Sequence, residues 1–129
     1  MSNEKDDFRF RRKEHLKGRK EIREVFEKGR KFDCRGARLF VLKNDLPYNR
    51  ICFTFSKPKG IARSAWNAVS RNRARRLGRE AFRLMKNRAC CGFDLILLVY
   101  SGAEIKNESL SDRIKQLESL FKKAGLLVY

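Results

Sequence analysis

A run of arginines in the second half of the chain carries the side chains best suited to binding phosphate. Residues 57–88 contain eleven basic side chains and one acid, Glu80. Guanidinium groups pair bidentately with phosphate, and groups one helical turn apart can follow a polynucleotide backbone. At helical spacing, one side of this segment carries Asn72, Arg75, Arg76, Arg79, Arg83 and Lys86. The pattern therefore predicts a helix that binds a polyanion.

The opposite side of this segment is apolar, which predicts that the helix docks on a core. On that side lie Trp66, Leu77, Ala81, Leu84 and Met85. We expect the helix to run from about residue 65 or 68 to Asn87, with its polar side in solvent. A run of charged residues is usually the solvent-exposed side of a helix, but such a side normally carries both acidic and basic residues. Here nearly all the charges are basic, and this excess of positive charge favours RNA binding. The Asn72 amide could bind a phosphate or a metal-bridged backbone group, or cap the helix.

The overall charge also indicates a polyanionic partner. The 129 residues suit one domain and include 32 Lys and Arg against 15 Asp and Glu, a formal net charge of +17. Such self-repulsion makes nucleic acid the expected partner, with an anionic membrane surface as the competitor. No apolar run reaches the roughly 18 residues that a spanning helix needs, and the first residues lack a signal peptide's apolar region. We expect a soluble, cytoplasmic protein without a membrane partner.

The residues that usually perform catalysis are sparse. A nuclease site needs clustered carboxylates for metals or a pair of histidines, whereas the carboxylates here are scattered and His15 is the single histidine. The four cysteines form no Cys-x-x-Cys. The adjacent Cys90 and Cys91 could suggest redox chemistry, but small residues in a reducing cytosol are the favoured interpretation. We predict no catalytic residue and no metal ligand in the protein, and a solvated or phosphate-contacting His15.

Period and length predict the elements of the fold. Residues 1–15 are highly charged without a helical stripe, so we predict a mobile basic arm followed by one domain over residues 16–129. Alternation in residues 51–56 predicts a half-buried strand, and the nearly all-apolar residues 93–100 suit a central strand. The predicted order is a helix ending at Gly29, strands over 39–42 and 51–56, the arginine helix, a strand over 93–100 and a helix over 110–124. This order predicts a single layered α+β domain with helices on a small sheet.

The arginine segment resembles the signature helix of the bacterial ribonuclease P protein family. The resemblance rests on Arg71-Asn72-Arg73-Ala74-Arg75-Arg76 followed by Arg79-Glu80-Ala81-Phe82. Other segments match the family in the same order and spacing, namely residues 21–29, 51–57, 93–100 and 110–124. The chain departs from the family pattern at residues 60–66, which lengthen the entry to the arginine helix, and at Ile22, which replaces an aromatic residue.

The resemblance implies a ribonucleoprotein endonuclease that removes the 5′ leader of precursor tRNA. In this family the RNA subunit carries the chemistry and its Mg²⁺ ions, and the protein binds the catalytic RNA and the precursor tRNA. It also implies a left-handed β-α-β crossover. The implied contacts with the catalytic RNA are Arg71, Asn72, Arg73, Arg75, Arg76, Arg79, Arg83 and Lys86. The implied contacts with the leader are Phe26, Phe40, Thr54, Ser56 and Lys57, with Arg75 and Arg79 at the rim.

Two other classes of protein fit part of the pattern. A ribosomal or ribosome-assembly protein would share the charge and the fold but would not need a leader-binding surface. A DNA-binding module would read base edges in the major groove, yet no helix-turn-helix pair precedes the arginine helix, so we expect no DNA partner. For residues Phe53, Phe55, Phe82, Leu117 and Phe121 we expect places in the core.

Overall fold

The residues described by the structure, a computed structural model, form three α-helices and one four-stranded mixed sheet. The structure describes residues 10–56, 68–100 and 109–128. Short 3-10 turns cover Arg12–Glu14 and Lys86–Arg88. In chain order the elements are α1 (Arg19–Lys28), β1 (Arg30–Cys34), β2 (Ala37–Lys43), β3 (Arg50–Phe55), α2 (Ala68–Met85), β4 (Phe93–Val99) and α3 (Leu110–Lys123). The α+β class predicted from the sequence is confirmed.

The strands lie in the order β1-β2-β4-β3. The pairs β1/β2 and β2/β4 are antiparallel, while β3 and β4 are parallel neighbours. Because α2 lies between β3 and β4 in the chain, these three elements form the β-α-β unit that the resemblance implied. The left-handedness of its crossover stays a prediction from that resemblance.

Strand β1 is absent from the predicted order, which was wrong by one strand. It pairs with β2 across a turn at Arg35 and Gly36, where Gly36 has φ 87°. Its residues Arg30, Lys31 and Asp33 are exposed. Charged side chains are typical of an edge strand, because they discourage pairing with another chain. They also interrupt the apolar alternation of this short strand, so the sequence pattern did not predict it.

The two faces of the sheet are covered by different helices. On the inner face, Leu39, Leu97 and Phe53 lie in one row across β2, β4 and β3, and all three belong to the main core. That core includes Phe82 of α2 and Leu117 and Phe121 of α3, as predicted, whereas Phe55 is half-buried at its margin. On the outer face, α1 covers a smaller cluster of four buried residues, namely Leu16, Val25, Phe40 and Ile96.

Helix α2 is rotated relative to the expectation. Leu84 is 40% exposed, so its predicted place on the docking side is wrong, and Leu77 is half-buried at the margin of that side. Ala81 and Met85 are buried as predicted. The buried residues are Ala74, Gly78, Ala81, Phe82 and Met85. Small side chains at 74 and 78 let the backbone of α2 approach β3 closely, which brings this side of the helix against the sheet. The helix also ends at Met85 rather than Asn87, because residues 86–88 tighten into a 3-10 turn.

Residues 10–15 pack on the domain, which corrects the predicted boundary of the mobile arm. The ring of Phe10 stacks on His15 at 4.0 Å between centroids and contacts Phe82 edge-on at 5.6 Å. The backbone of His15 forms an isolated parallel β-bridge with Ile51 of β3, and the side chain of Glu14 is buried. Aromatic burial therefore offsets the entropy of ordering this segment. Residues 1–9 of the predicted arm lie outside the described residues.

Candidate nucleic-acid interface

The solvent side of α2 carries most of the predicted RNA-binding side chains. Exposed there are Asn72, Arg73, Arg76 and Arg79, while Arg71, Arg75 and Arg83 are half-buried. The half-buried arginines lie on the flanks of the buried stripe, which follows from the rotation of the helix. Their aliphatic stems can pack while the guanidinium groups stay at the surface. We call Asn72, Arg73, Arg76 and Arg79 the arginine face.

Two of the predicted contacts are held by carboxylates. Arg83 pairs with Glu80 through two hydrogen bonds, one of 3.1 Å from Nε, and this pairing holds the pKa of the Glu80 carboxyl below its usual range. The Lys86 ammonium donates to both oxygens of Glu14, at 3.0 and 3.1 Å, with both side chains 10% exposed. Lys86 therefore serves first to fasten the segment around Glu14 to the end of α2.

Arg75 and Arg79 face the edge of β3. The guanidinium carbon of Arg75 lies 5.6 Å from the centre of the Phe55 ring. Burial lowers the pKa of His15, and the positive charges of Arg79 and Lys17 lower it further. His15 is half-buried and stacked on Phe10, so it is not fully solvated; contact with a phosphate, the other expectation, stays a prediction. The contact with Phe55 places Arg75 beside the strand whose outer face was predicted to bind the leader.

The predicted aromatic pair forms, but its two rings differ in exposure. Phe26 of α1 meets Phe40 of β2 edge-on at 4.8 Å between centroids and 73° between planes. Phe26 is 37% exposed, whereas Phe40 is 5% exposed and belongs to the outer cluster. Phe26 can therefore offer ring surface to a base, while Phe40 supports it from beneath.

The outer face of β3 lies next to this pair. Cys52 is paired in register with Ile96, and Thr54 with Leu98. Because α1 is only ten residues long, it covers Ile96 and leaves Cys52, Thr54 and Leu98 half-exposed. Burial raises the pKa of the Cys52 thiol, while the charge of Arg75 lowers it.

We call the surface formed by Phe26, Cys52, Thr54, Ser56 and Leu98 the outer patch. Ser56 is half-buried and its backbone N–H donates to Val99 at 3.0 Å, which extends the pairing of β3 by one residue. The predicted contact Lys57 and the departure at residues 60–66 lie outside the described residues. The arginine face and the outer patch both border β3, and Arg75 of α2 contacts Phe55, the residue before Ser56.

Sequence reasoning missed the basic residues that precede α1. Arg11, Arg12 and Lys13 are exposed on a turn fastened to the end of α2 by the Glu14–Lys86 pair. They add positive charge beside the arginine face. The sequence feature that could have predicted this ordered turn is the pair Phe10 and His15, whose spacing lets a tight turn stack the two rings.

Across residues 10–56, 68–100 and 109–128, no three His, Cys, Asp or Glu side chains lie together as metal ligands. None of the helices described in those ranges is long and apolar enough to cross a membrane. The four cysteines are free thiols.

The fold and the surface define an α+β domain in which an arginine-rich helix joins two parallel strands of a mixed sheet. The sequence matches the Ribonuclease P family over residues 10–125. The chain belongs to the ribonuclease P protein family.

Relatives and solved structures agree with this membership. The chain is 41% identical over 89 residues to the ribonuclease P protein component of Natranaerobius thermophilus, covering 69% of this chain and 72% of the relative. It is 32% identical over 110 residues to that of Lachnoclostridium phytofermentans, covering 84% and 90%. The RNase P proteins of Staphylococcus aureus and Thermotoga maritima share the fold, with TM-scores of 0.71 and 0.69 at 22% identity. The alignments cover 88% and 85% of this chain and 97% and 96% of the respective structures.

Proposed function

We propose that this chain is the protein subunit of a ribonuclease P ribonucleoprotein that removes the 5′ leader of precursor tRNA in the cytoplasm. The observation that carries the proposal is the contact of Arg75 of α2 with Phe55 of β3, the residue that lies between Thr54 and Ser56 of the outer patch in the chain. One RNA could lie on α2 while a single strand enters the outer patch. Membership in the family supplies the reaction.

The arginine face would dock on the catalytic RNA by neutralising its phosphates. Each neutralised phosphate releases counterions, which makes this binding strongly dependent on salt. Docking would also lower the repulsion between the catalytic RNA and the precursor tRNA, two polyanions that must meet. The proposed contacts are Arg71, Asn72, Arg73, Arg75, Arg76, Arg79, Arg83 and Lys86, the last two after exchange of their carboxylate partners.

The outer patch would hold the leader. Phe26 offers exposed ring area on which an unpaired base can stack, an interaction worth about 1–3 kcal/mol per base. Thr54 and Ser56 are small and polar, so they leave room for a strand and can donate to its phosphates. Phe40 packs beneath the Phe26 ring. Lys57, the residue after Ser56 in the chain, would add a positive charge for the leader's phosphates. The hydrolytic chemistry and its Mg²⁺ ions would belong to the RNA subunit.

Reconstitution tests this proposal directly. The chain is added to ribonuclease P RNA at a Mg²⁺ concentration too low for the RNA to act by itself, and cleavage of precursor tRNA is followed. We expect release of the leader and a mature 5′ end. As a matched control, an Arg76→Ala/Arg79→Ala variant should restore less cleavage than a Lys115→Ala/Lys122→Ala variant, which removes the same charge from α3. No restored cleavage with the unaltered chain would reject the proposal.

The second candidate is a ribosomal or ribosome-assembly protein. It is favoured by the same charge and would use the arginine face without the outer patch. Binding to precursor and mature tRNA distinguishes the two, because such a protein has no reason to prefer the RNA that carries a leader.

A further inference from the structure

A cavity lies at the end of α2, away from the outer patch. It is open to solvent, has a volume of about 500 Å³ and is bordered by the Arg12–Glu14 turn, the loop between β2 and β3, and the Lys86–Arg88 turn. Small-molecule sites typically occupy about 300–1,000 Å³. The polar and charged side chains that line it include Arg11, Lys13, Glu14, Tyr48, Asn49 and Lys86.

The walls of this cavity are fixed by buried polar contacts. Asn49 is 5% exposed, donates to the Cys90 carbonyl at 2.8 Å and accepts from the Phe93 N–H at 2.9 Å. These bonds pin the β2–β3 loop to the segment that enters β4. On the other side, the Glu14–Lys86 pair pins the first turn to the end of α2. A site built between such walls loses little entropy when a ligand binds.

The cavity is positively charged. Its carboxylate, Glu14, is engaged by the Lys86 ammonium and by the Arg11 backbone N–H at 2.7 Å. This pairing offsets the one negative charge, and the exposed side chains of Arg11 and Lys13 add two positive charges at the rim. An anionic group is therefore the favoured occupant.

An aromatic ring stands beside those cations. Tyr48 is half-buried in the wall, and the Lys13 ammonium lies 4.7 Å from the centre of its ring. The ammonium covers one face of this ring, and a nucleotide phosphate that paired with Arg11 and Lys13 would draw it away and leave that face for the base to stack on. An inorganic anion would use the cations but would gain nothing from the ring.

We propose that this cavity binds one unstacked nucleotide of the RNA that lies along α2, with the phosphate at Arg11 and Lys13 and the base against Tyr48. The identity of that RNA rests on the proposed function, whereas the binding of a nucleotide does not. The site would extend the RNA interface past the end of α2 and fix the register of the RNA on the helix.

The test is a titration of the full chain with inorganic phosphate, AMP and single-stranded hexaadenylate, followed by NMR at Tyr48, Asn87 and Cys91. We expect AMP and the hexanucleotide to bind more tightly than phosphate and to shift these resonances. Tyr48→Leu should weaken AMP binding by roughly 5- to 150-fold, the equivalent of one stack, and leave phosphate binding unchanged. The matched variant Tyr100→Leu, which changes an exposed tyrosine outside the cavity, should change neither.

A second pair of variants covers the case in which Tyr48→Leu fails to fold. Lys13→Ala should weaken phosphate and AMP binding more than Arg12→Ala, which removes a charge from the same turn outside the cavity lining. Equal binding of phosphate and AMP, equal effects of the paired variants, or shifts at Phe26 and Thr54 in place of Tyr48 would overturn the proposal. AMP binding without hexanucleotide binding would overturn RNA as the source. These titrations need no catalytic RNA, so their failure is distinct from failure of precursor cleavage.

Discussion

Gly78 of α2 lies so close to Phe53 of β3 that a Cβ atom at residue 78 would stand 2.7 Å from the ring. This contact lets the arginine helix sit directly on the strand that borders the outer patch. Arg75 and Arg79, nearly one turn before and one residue after Gly78, are thereby brought to Phe55 and His15. The close approach of one glycine thus sets the distance between the two candidate RNA-binding surfaces.

Gly78→Ala should therefore destabilise the protein although alanine favours helices. The gain in helix propensity is about 1 kcal/mol, whereas overpacking a core typically costs about 1–3 kcal/mol. We expect a net loss of up to about 2 kcal/mol in the free energy of unfolding, measured with urea. Val69→Ala in the same helix, at a side chain 75% exposed, should be neutral or slightly stabilising. A stabilised Gly78→Ala protein would contradict the close approach.

Arg79→Ala should weaken binding to ribonuclease P RNA without unfolding the protein, because Arg79 is exposed. The loss of one phosphate contact should reduce the slope of log affinity against log salt by about one unit. Lys122→Ala, which removes an exposed charge from α3, should leave the slope nearly unchanged. Equal slopes for Arg79→Ala and the unaltered protein would show that the RNA docks elsewhere.

Phe26→Ala should weaken binding of precursor tRNA and spare mature tRNA, because base stacking requires a leader. The expected loss is about 1–3 kcal/mol, in the lower half of that range since Ile22 replaces a second aromatic. Phe40→Ala is the contrasting change: that ring is 5% exposed, so the variant should lose about 3–5 kcal/mol of stability. Both affinities and the melting temperature are measured. Equal losses for both forms of tRNA would reject the outer patch as the leader site.

His15 should make stability dependent on pH in a narrow window. Its pKa is lowered by burial and by Arg79 and Lys17, so the unfolded chain, with a histidine pKa of about 6.5, takes up its proton first on acidification. The free energy of unfolding should therefore fall as the pH drops through the unfolded histidine pKa of about 6.5. His15→Gln should flatten this part of the profile, measured by urea unfolding at each pH. A variant with an unchanged profile would assign the dependence to other groups.

Carboxylates should make the free energy of unfolding depend on pH only at lower pH than His15 does. The pKa values of Glu80 and Asp112 are lowered, by a hydrogen bond from Arg83 and by hydrogen bonds from Ser109 respectively. Their stabilising contributions are present above their unfolded pKa values, near about 4, and are lost as the pH falls further. Measurements above pH 5 therefore report on His15.

The sequence by itself determined the features that arise within one element. The alternation of β3 assigned Ile51 and Phe53 to the core and Cys52 and Thr54 to the outer face, as observed. The spacing of Ser109 and Asp112 indicates a capping box, and the Asp112 N–H donates to the Ser109 hydroxyl at 3.2 Å. Such features are legible because strand pleat and helix caps depend on residues only two or three positions apart.

Tertiary structure decided which side of α2 is buried. Hydropathy alone favoured Leu77 and Leu84, but the shape of the sheet favours Ala74 and Gly78, because small residues let the helix backbone come closest to Phe53. The side buried by a helix depends on the surface that receives it, and that surface is built from strands distant in the chain.

Tertiary structure also decided which charged side chains form buried pairs and which stay exposed. Glu14 and Lys86 are 72 residues apart in the chain, yet they form a pair shielded from solvent. No local pattern marks such a pair, since each residue alone resembles any solvated charge. The sequence determined that the chain is strongly basic and where its arginines cluster. The folded structure determined which cations face solvent and which fasten the domain, because burying a charge depends on a partner that only the fold brings near.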